Sequence, residues 1–272
     1  MGQKLTDDEL KNIELDILKY FRGICKQLGI NYYLMGGTLL GAVRHQGFIP
    51  WDDDIDVMMF RDDYDKLVSY FKKNNKGRYQ LGDIHLMSDY SFPIGKLIDT
   101  STVLVSNKVK TGNTTGAFID IFPLDKVQDV EDLRERKARL GRLNTFIETF
   151  SRMLPKDYEE AASHWNWKEK IVYTLYRFVG WHKLAKKYEM ICREKNDTNA
   201  EYYAYIGWIL YDREIWSKST LGNGVGIMFE NDIFNVPDQY EQFLEVVYGN
   251  YMELPPEDKR VTRHDFNVYW RD

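Results

Sequence analysis

Near the start of the chain, Leu10, Ile13, Ile17, Phe21, Ile24 and Leu28 lie three or four positions apart, the period of one buried helix face. Thr6 followed by Glu9 predicts a capping box in front of this helix, and Gly29 predicts its end. The pattern then shortens. Ile30 to Met35 reads as a strand ending at Gly36-Gly37, Thr38 to Val43 as a turn or two of helix, and His45 to Asp53 as a loop holding Gly47, Pro50 and Trp51. The run Val57, Met58, Met59, Phe60 predicts a buried strand opening at Asp54. A helix should follow, capped by Asp62 or Asp63, with Tyr64, Leu67, Val68 and Phe71 on one face. Ile94 to Ile98, Thr102 to Val105 and Ala117 to Phe122 read as further strands, the last preceded by a GNTTG loop (112–116) and closed by Pro123.

From Val130 the character changes. Long, charged helical patterns cover 130–153 and 166–195, with Pro155 between them. An aromatic-rich stretch runs to the end, with a helix expected over Tyr240 to Tyr248 and a turn at Pro255-Pro256. No internal repeat or low-complexity tract interrupts the chain. The fold class expected is α/β (α+β): an N-terminal catalytic half over 1–128 and a mainly helical, aromatic-rich C-terminal region over 129–272, packed on it.

With 43% hydrophobic and 15% aromatic residues in a 272-residue chain, a real core can form and disorder is not expected. A formal net charge of −5 argues against a nucleic-acid binder, which carries a basic face. Cys25 and Cys192 fit no zinc spacing and read as reduced core residues of a cytoplasmic protein. The polar opening MGQKLTDDELKN lacks the apolar segment of a signal peptide. No stretch reaches the ~18 apolar residues of a membrane span; the nearest, IVYTLYRFVGW, is broken by Arg177. The expectation is a soluble protein, cytoplasmic or peripheral at the inner face of the membrane.

Candidate chemistry concentrates in acids. Asp54 and Asp56, two apart on one strand, should face the same way. Like charges brought within about 4–5 Å repel by roughly 3–4 kcal/mol at an effective dielectric near 20, a cost that a divalent cation converts into binding. Asp120 lies within AFIDIF, a run that otherwise reads as buried, where an ionised carboxylate needs a partner. A metal shared with Asp54 and Asp56 would serve; the plainer reading is a helix cap or a lysine pair. The Asp52–Asp56 run lacks the glycine of an EF-hand loop, and an exposed acidic turn is its plain alternative. Oxygen-only ligands suit Mg²⁺, with Mn²⁺ close behind. Gly36-Gly37-Thr38 would let backbone amides and a helix start approach an anion. No P-loop or dinucleotide-binding glycine pattern occurs. Arg44, His45 and Lys96 are candidates for neutralising phosphate, and Arg260 and His264 are weaker ones.

The segments MGGTLLGAVRHQGFIPWDDDIDV, PIGKLID (93–99), FIDIFPLD (118–125), FENDIFNVPDQY and YGNYMELPPEDKR, together with His264, resemble the LicD family, phosphorylcholine transferases of bacterial surface glycans related to the fukutin-related proteins. The likeness spans most of the chain and is faintest over 130–220. It implies a nucleotidyltransferase-like mixed-sheet core. Gly36 and Gly37 match the family's phosphate-side turn, Asp54 and Asp56 its metal pair, and Asp120 its third carboxylate, with Asp52 as an added ligand. The zinc-binding insertion of some animal relatives has no counterpart here. The implied reaction is metal-dependent transfer of phosphocholine from a CDP-activated donor, such as CDP-choline, to a sugar hydroxyl of a glycan, lipopolysaccharide or teichoic acid precursor.

Choline would need aromatic faces or carboxylates, for which Trp51, Trp208, Tyr211, Trp216, Phe229 and Glu230 are available. Trp165, Trp167, Lys168, Lys170, Trp181, Lys183, Lys186 and Lys187 mix aromatic and basic side chains on expected helix, which suits docking of a lipid-linked acceptor at an interface or, more plainly, helix packing. Two other readings stand beside the first. One is a transferase using a nucleotide sugar or CDP-activated polyol, the other a non-catalytic metal-binding module.

Overall fold

The computed structural model describes residues 2–88, 90, 92–106, 115–147, 165–167, 170–171, 181–207, 214–262 and 266–272. Helix α1 spans Asp7–Leu28. The Glu9 N–H donates to Thr6 Oγ1 at 3.2 Å and the Thr6 N–H donates to Glu9 Oε2 at 2.8 Å, closing the expected capping box. Gly29 ends the helix at φ 62°, a left-handed position that glycine takes without a Cβ penalty.

The strand expected from Ile30 to Met35 is shorter: β1 is Tyr33–Leu34. Helix α2, Gly36–His45, starts at the glycine pair itself, so the glycines open the helix instead of forming a turn before it. Strand β2 is Asp56–Phe60, which leaves Asp54 in the approach to the strand. Its three central residues, Val57, Met58 and Met59, are all buried, as a strand covered on both faces requires. Helix α3, Arg61–Asn74, begins directly after Phe60 and has no side-chain cap; Asp62 and Asp63 lie within its first turn, where they still complement the helix dipole.

Strand β3 (Tyr79–Gly82) leads to β4 (Gly95–Asp99) and β5 (Thr102–Ser106). Strand β6 then runs from Phe118 to Val127, straight through the proline expected to close it. On one flank β6 pairs with β2 throughout Phe60↔Leu124 and before. On the other it pairs with β4 up to Ile121 and with β7 (Tyr202–Ala204) from Asp125. Pro123 falls in the gap between those two partners, where no donor is required of it.

The sheet order is β1-β2-β6-β4-β3, with β7 and then β8 (Trp216–Ser217) continuing from β6. Among the described strands only β2–β6 is a parallel pair. A β9–β10 hairpin (Val225–Phe229, Asp232–Val236) packs against α2 and β1, and β11 (Phe266–Trp270) pairs with β5. The architecture is therefore mixed α+β. Among its described residues the second half carries helices α4 (Val130–Ile147), α5 (Trp181–Arg193), α6 (Lys218–Leu221) and α7 (Tyr240–Tyr248) alongside these short strands. The main core joins α1, α2 and α3 to the sheet, while a second cluster packs Leu133 and Leu140 of α4 against Leu184, Tyr188 and Ile191 of α5. The buried Arg61–Asp125 pair, with contacts of 2.8 and 2.6 Å, ties the start of α3 to β6. Most of the GNTTG loop (112–114) and residues Trp208, Tyr211, Lys168 and His264 lie outside the described residues.

Candidate active site

Three strands place three charged side chains in one row. Asp56 of β2 stands opposite Asp120 of β6, and Asp120 stands opposite Lys96 of β4. Register partners share a sheet face, so the row is set by strand pairing rather than by sequence proximity. Lys96 Nζ donates to Asp120 Oδ1 at 2.5 Å, with both side chains mostly buried. The lysine also lies 3.5 Å from the Phe118 ring centroid, an attractive cation–π position. The lysine partner foreseen as the plainer account of Asp120 is thus present, beside the acid pair.

The end of β2 is stitched to α2. The Asp56 N–H donates to Thr38 Oγ1 at 2.8 Å, the Met35 N–H donates to the Asp56 carbonyl at 3.0 Å, and the Asp120 N–H donates to the Ile55 carbonyl at 2.9 Å. Gly36 has φ 56°, and a Cβ there would stand 3.2 Å from Asp56 Oδ2. A Cβ on Gly37 would collide with the Asp52 carboxylate. Both glycines are therefore needed for acids to lie against the first turn of α2.

Asp52, Asp53 and Asp54 can each offer a carboxylate oxygen, all within 4.8 Å of one another. Burial pushes the Asp56 carboxyl well above the ordinary range, and the charges of Asp54, Asp120 and Asp52 push it further, with Lys96 opposing. Four acids of the expected site thus act on one another. The donor set of Asp52, Asp53 and Asp54 is all oxygen, the chemistry that a hard divalent cation takes, so this group fits the implied metal; Asp56 and Asp120, expected as ligands, are not among the carboxylates that come within 4.8 Å of one another. Asp53 belongs with this group, although its neighbours alone were expected to.

Arg44 and His45 lie at the opposite end of α2 from Gly36 and Gly37, roughly 12 Å away at 1.5 Å per residue. Arg44 Nη1 donates to the carbonyls of Tyr251 (2.8 Å) and Glu253 (3.2 Å). Burial, then the charge of Arg44, lowers the His45 pKa. Arg260 lies 5.6 Å from the Trp51 ring and donates to the Pro255 carbonyl. Of the aromatics considered for a choline pocket, Phe229 is fully buried and Trp216 stacks on Phe243 at 4.2 Å; both are core. Glu230 Oε1 accepts from the Phe48 N–H at 2.9 Å and so holds the loop after α2.

Two residues not expected from the sequence bear on the site. Tyr248, at the end of α7 and 43% exposed as a whole residue, brings its hydroxyl to 4.0 Å from where a Gly36 Cβ would be, and desolvation of that hydroxyl, then the charges of Asp56 and Asp52, raises its pKa. Only tertiary packing brings it there. Glu14, on α1, is buried with Oε2 unpartnered among the described residues. Burial raises its pKa well above the ordinary value, and Asp54 and Asp53 add to the effect. Leaving such a group unsatisfied costs about 1–3 kcal/mol. Its place in the otherwise apolar stripe of α1 is a signal that was there to be read.

Carboxylates on neighbouring strands beside a helix opened by two glycines make a site whose chemistry suits a divalent cation and a phosphate group. The profile of the "LicD/FKTN/FKRP, nucleotidyltransferase domain" matches residues 29–156. The chain is 30% identical to the lipopolysaccharide cholinephosphotransferase LicD of Haemophilus influenzae, over 98% of this chain and 99% of that protein. A 45-residue segment is 44% identical to the ribitol 5-phosphate transferase FKRP of Homo sapiens and of Mus musculus, covering 16% of this chain and 9% of those proteins. The chain belongs to the LicD family, and it is a phosphotransferase. Among the described residues no helix is long and apolar enough to cross a membrane.

Proposed function

We infer that this enzyme transfers phosphocholine, or a related phospho-substituent, from a CDP-activated donor to a sugar hydroxyl of a cell-surface glycan such as a lipopolysaccharide or teichoic acid precursor. The observation that carries the reading is the acidic row Asp56–Asp120 beside the Asp52–Asp54 group, in a chain similar end to end to a lipopolysaccharide cholinephosphotransferase. Asp52, Asp54, Asp56 and Asp120 would hold a divalent cation, Mg²⁺ or Mn²⁺, which when bound neutralises charge on the donor diphosphate and the departing CMP.

The chain's own residues do the rest. Gly36, Gly37 and Thr38 present the start of α2 to the donor phosphates. Lys96 adds a positive charge beside the reacting group and holds Asp120 in place. Asp120 accepts the proton of the sugar hydroxyl as its oxygen attacks phosphorus in line and the bond to CMP breaks. Such proton transfer typically contributes ~10²–10⁴-fold. Arg44 acts from the far end of α2 by holding the Tyr251 and Glu253 carbonyls, and donates to His45 Nδ1 beside it. The free, buried thiols of Cys25 and Cys192 suit a cytoplasmic setting. Exposed Lys183, Lys186 and Lys187 on α5, with exposed Trp167, supply a surface for lipid-linked acceptors; co-sedimentation with anionic liposomes tests this, and a failure to pellet ends it.

The decisive assay is CMP release from CDP-choline with Mg²⁺ and candidate glycans. Release that disappears in Asp54→Ala and with EDTA is expected. The short match to the ribitol 5-phosphate transferase FKRP favours CDP-ribitol as the second donor to try. Metal binding without turnover of any donor would overturn the enzymatic reading.

A further inference from the structure

Tyr248 closes α7 and reaches the acidic row from the second half of the chain. Its hydroxyl comes to 4.0 Å from the position a Cβ on Gly36 would take, and Asp56 Oδ2 lies 3.2 Å from that same position. The phenol oxygen and the carboxylate therefore flank one point at the start of α2. The hydroxyl is not bonded to Asp56, and it makes no hydrogen bond among the described residues.

The backbone of Tyr248 is fixed on both sides. Phe243 and Leu244 bury one face of α7, and Phe243 stacks on Trp216 at 4.2 Å. The Gly249 N–H donates to the Glu245 carbonyl at 2.8 Å and ends the helix. Arg44 Nη1 then holds the Tyr251 carbonyl at 2.8 Å. This segment thus lies along α2, tied to its last turn through Arg44 and standing over its first through the Tyr248 hydroxyl. A group held in this way has little ordering left to do when a ligand arrives.

The start of α2 is equally short of partners. Met35, its N-cap, makes no side-chain cap, and the first turn holds no acidic residue. The first N–H groups of a helix have no intrahelical acceptor and suit a phosphate oxygen. A phenol, with an ordinary pKa of about 10, is protonated at neutral pH, so the Tyr248 hydroxyl can donate to the same phosphate. Hydrogen bonds to ionised oxygen are the stronger kind.

We propose that the Tyr248 hydroxyl donates to a phosphate oxygen of the nucleotide donor held at the start of α2, so that the C-terminal half supplies a substrate contact to the catalytic half. The proposal rests on the transferase reading above and adds a residue that the reading does not use. Tyr248 is 43% exposed as a residue, so the ring borders open space through which a ligand can enter.

Calorimetric titration of the full chain with CDP in the presence of Mn²⁺, beside CMP release from CDP-choline, tests the contact. Tyr248→Phe removes the hydroxyl and nothing else. CDP affinity should fall about tenfold or more, as for a lost hydrogen bond to a charged group. The KM for CDP-choline should rise with kcat changed less, while Tm and Mn²⁺ affinity without nucleotide stay at wild-type values. Wild-type affinity for CDP in the variant would overturn the proposal, and so would a loss confined to CDP-choline, which would move the hydroxyl to the headgroup. A lowered Tm or weakened Mn²⁺ would assign the hydroxyl to the fold or the metal site and overturn it too. CMP release by the wild type leaves the transferase reading standing in each of those cases. A wild type that binds no CDP and turns over no donor would overturn both.

Discussion

Asp56 and Asp120 are direct register partners across the parallel pair β2–β6, and Lys96 completes the row from β4. Two acids side by side on adjacent strands repel, and the only cation in the row is bonded to the second of them. Lys96→Met should therefore expose Asp120 to the charge of Asp56 without compensation. CMP release is expected to fall by about 10²-fold or more, as for loss of a preorganised electrostatic contact, and Tm should drop. Adding Asp120→Asn to that variant should recover the Tm but not the activity, measured by thermal melts and CMP assay side by side.

Gly37→Ala tests why the glycine pair is there. The new methyl group would meet the Asp52 carboxylate, and Gly37 lies at the first turn of α2, where alanine itself suits helix. Displacement of Asp52 should weaken Mn²⁺ by about 10–100-fold, the range for disturbed metal-site support, with the fold retained by circular dichroism. Unchanged Mn²⁺ affinity would exclude Asp52 from the site.

Asp125 is 1% exposed and accepts from Arg61 at two positions and from Asn196. Asp125→Ala leaves the buried Arg61 guanidinium with only its longer contact to Glu189, 3.8 Å away, which should cost about 3–5 kcal/mol or somewhat less. Chemical denaturation should show that loss as a lower midpoint at an unchanged slope.

Glu189 on α5 gives the fold an acid-sensitive joint. Burial alone would raise its carboxyl, but Arg193, by charge and hydrogen bond, with Arg61 and His85, holds it below the ordinary value. A carboxyl depressed in the folded state stabilises above its unfolded pKa, and that stability is lost as pH falls through the folded value. Melting curves carried from pH 7 down to about pH 2.5, well below the ordinary carboxylate range, should therefore decline more steeply for wild type than for Glu189→Gln. Parallel declines would rule the joint out.

Much of the site was legible because its signals are local. The apolar run Val57–Phe60 after a cluster of aspartates needs only neighbours in sequence to be read as acids entering a buried strand, and the capping box at Thr6 and Glu9 closes within one turn. Other features depended on pairing. Pro123 reads as a strand end, since its missing N–H matters in a ladder; it stays inside β6 because the flank beside it happens to have no partner between β4 and β7. Phe229 and Trp216 carry the chemistry of a choline pocket, but packing made them core.

Taken alone, the sequence determined α1 and its stops, the acidic entry into β2, the short helix over Thr38 to Val43, and membership of a phosphotransferase family. Tertiary structure decided which acids meet. Asp120 reaches Asp56 through strand register, Lys96 takes its place through an antiparallel neighbour, and Glu14 and Tyr248 arrive from helices far away in the chain. The reason is the range of the forces involved. Helix periodicity, caps and glycine conformations are settled within a few residues, whereas carboxylates many positions apart meet only after a hydrophobic core has folded the strands between them into one sheet.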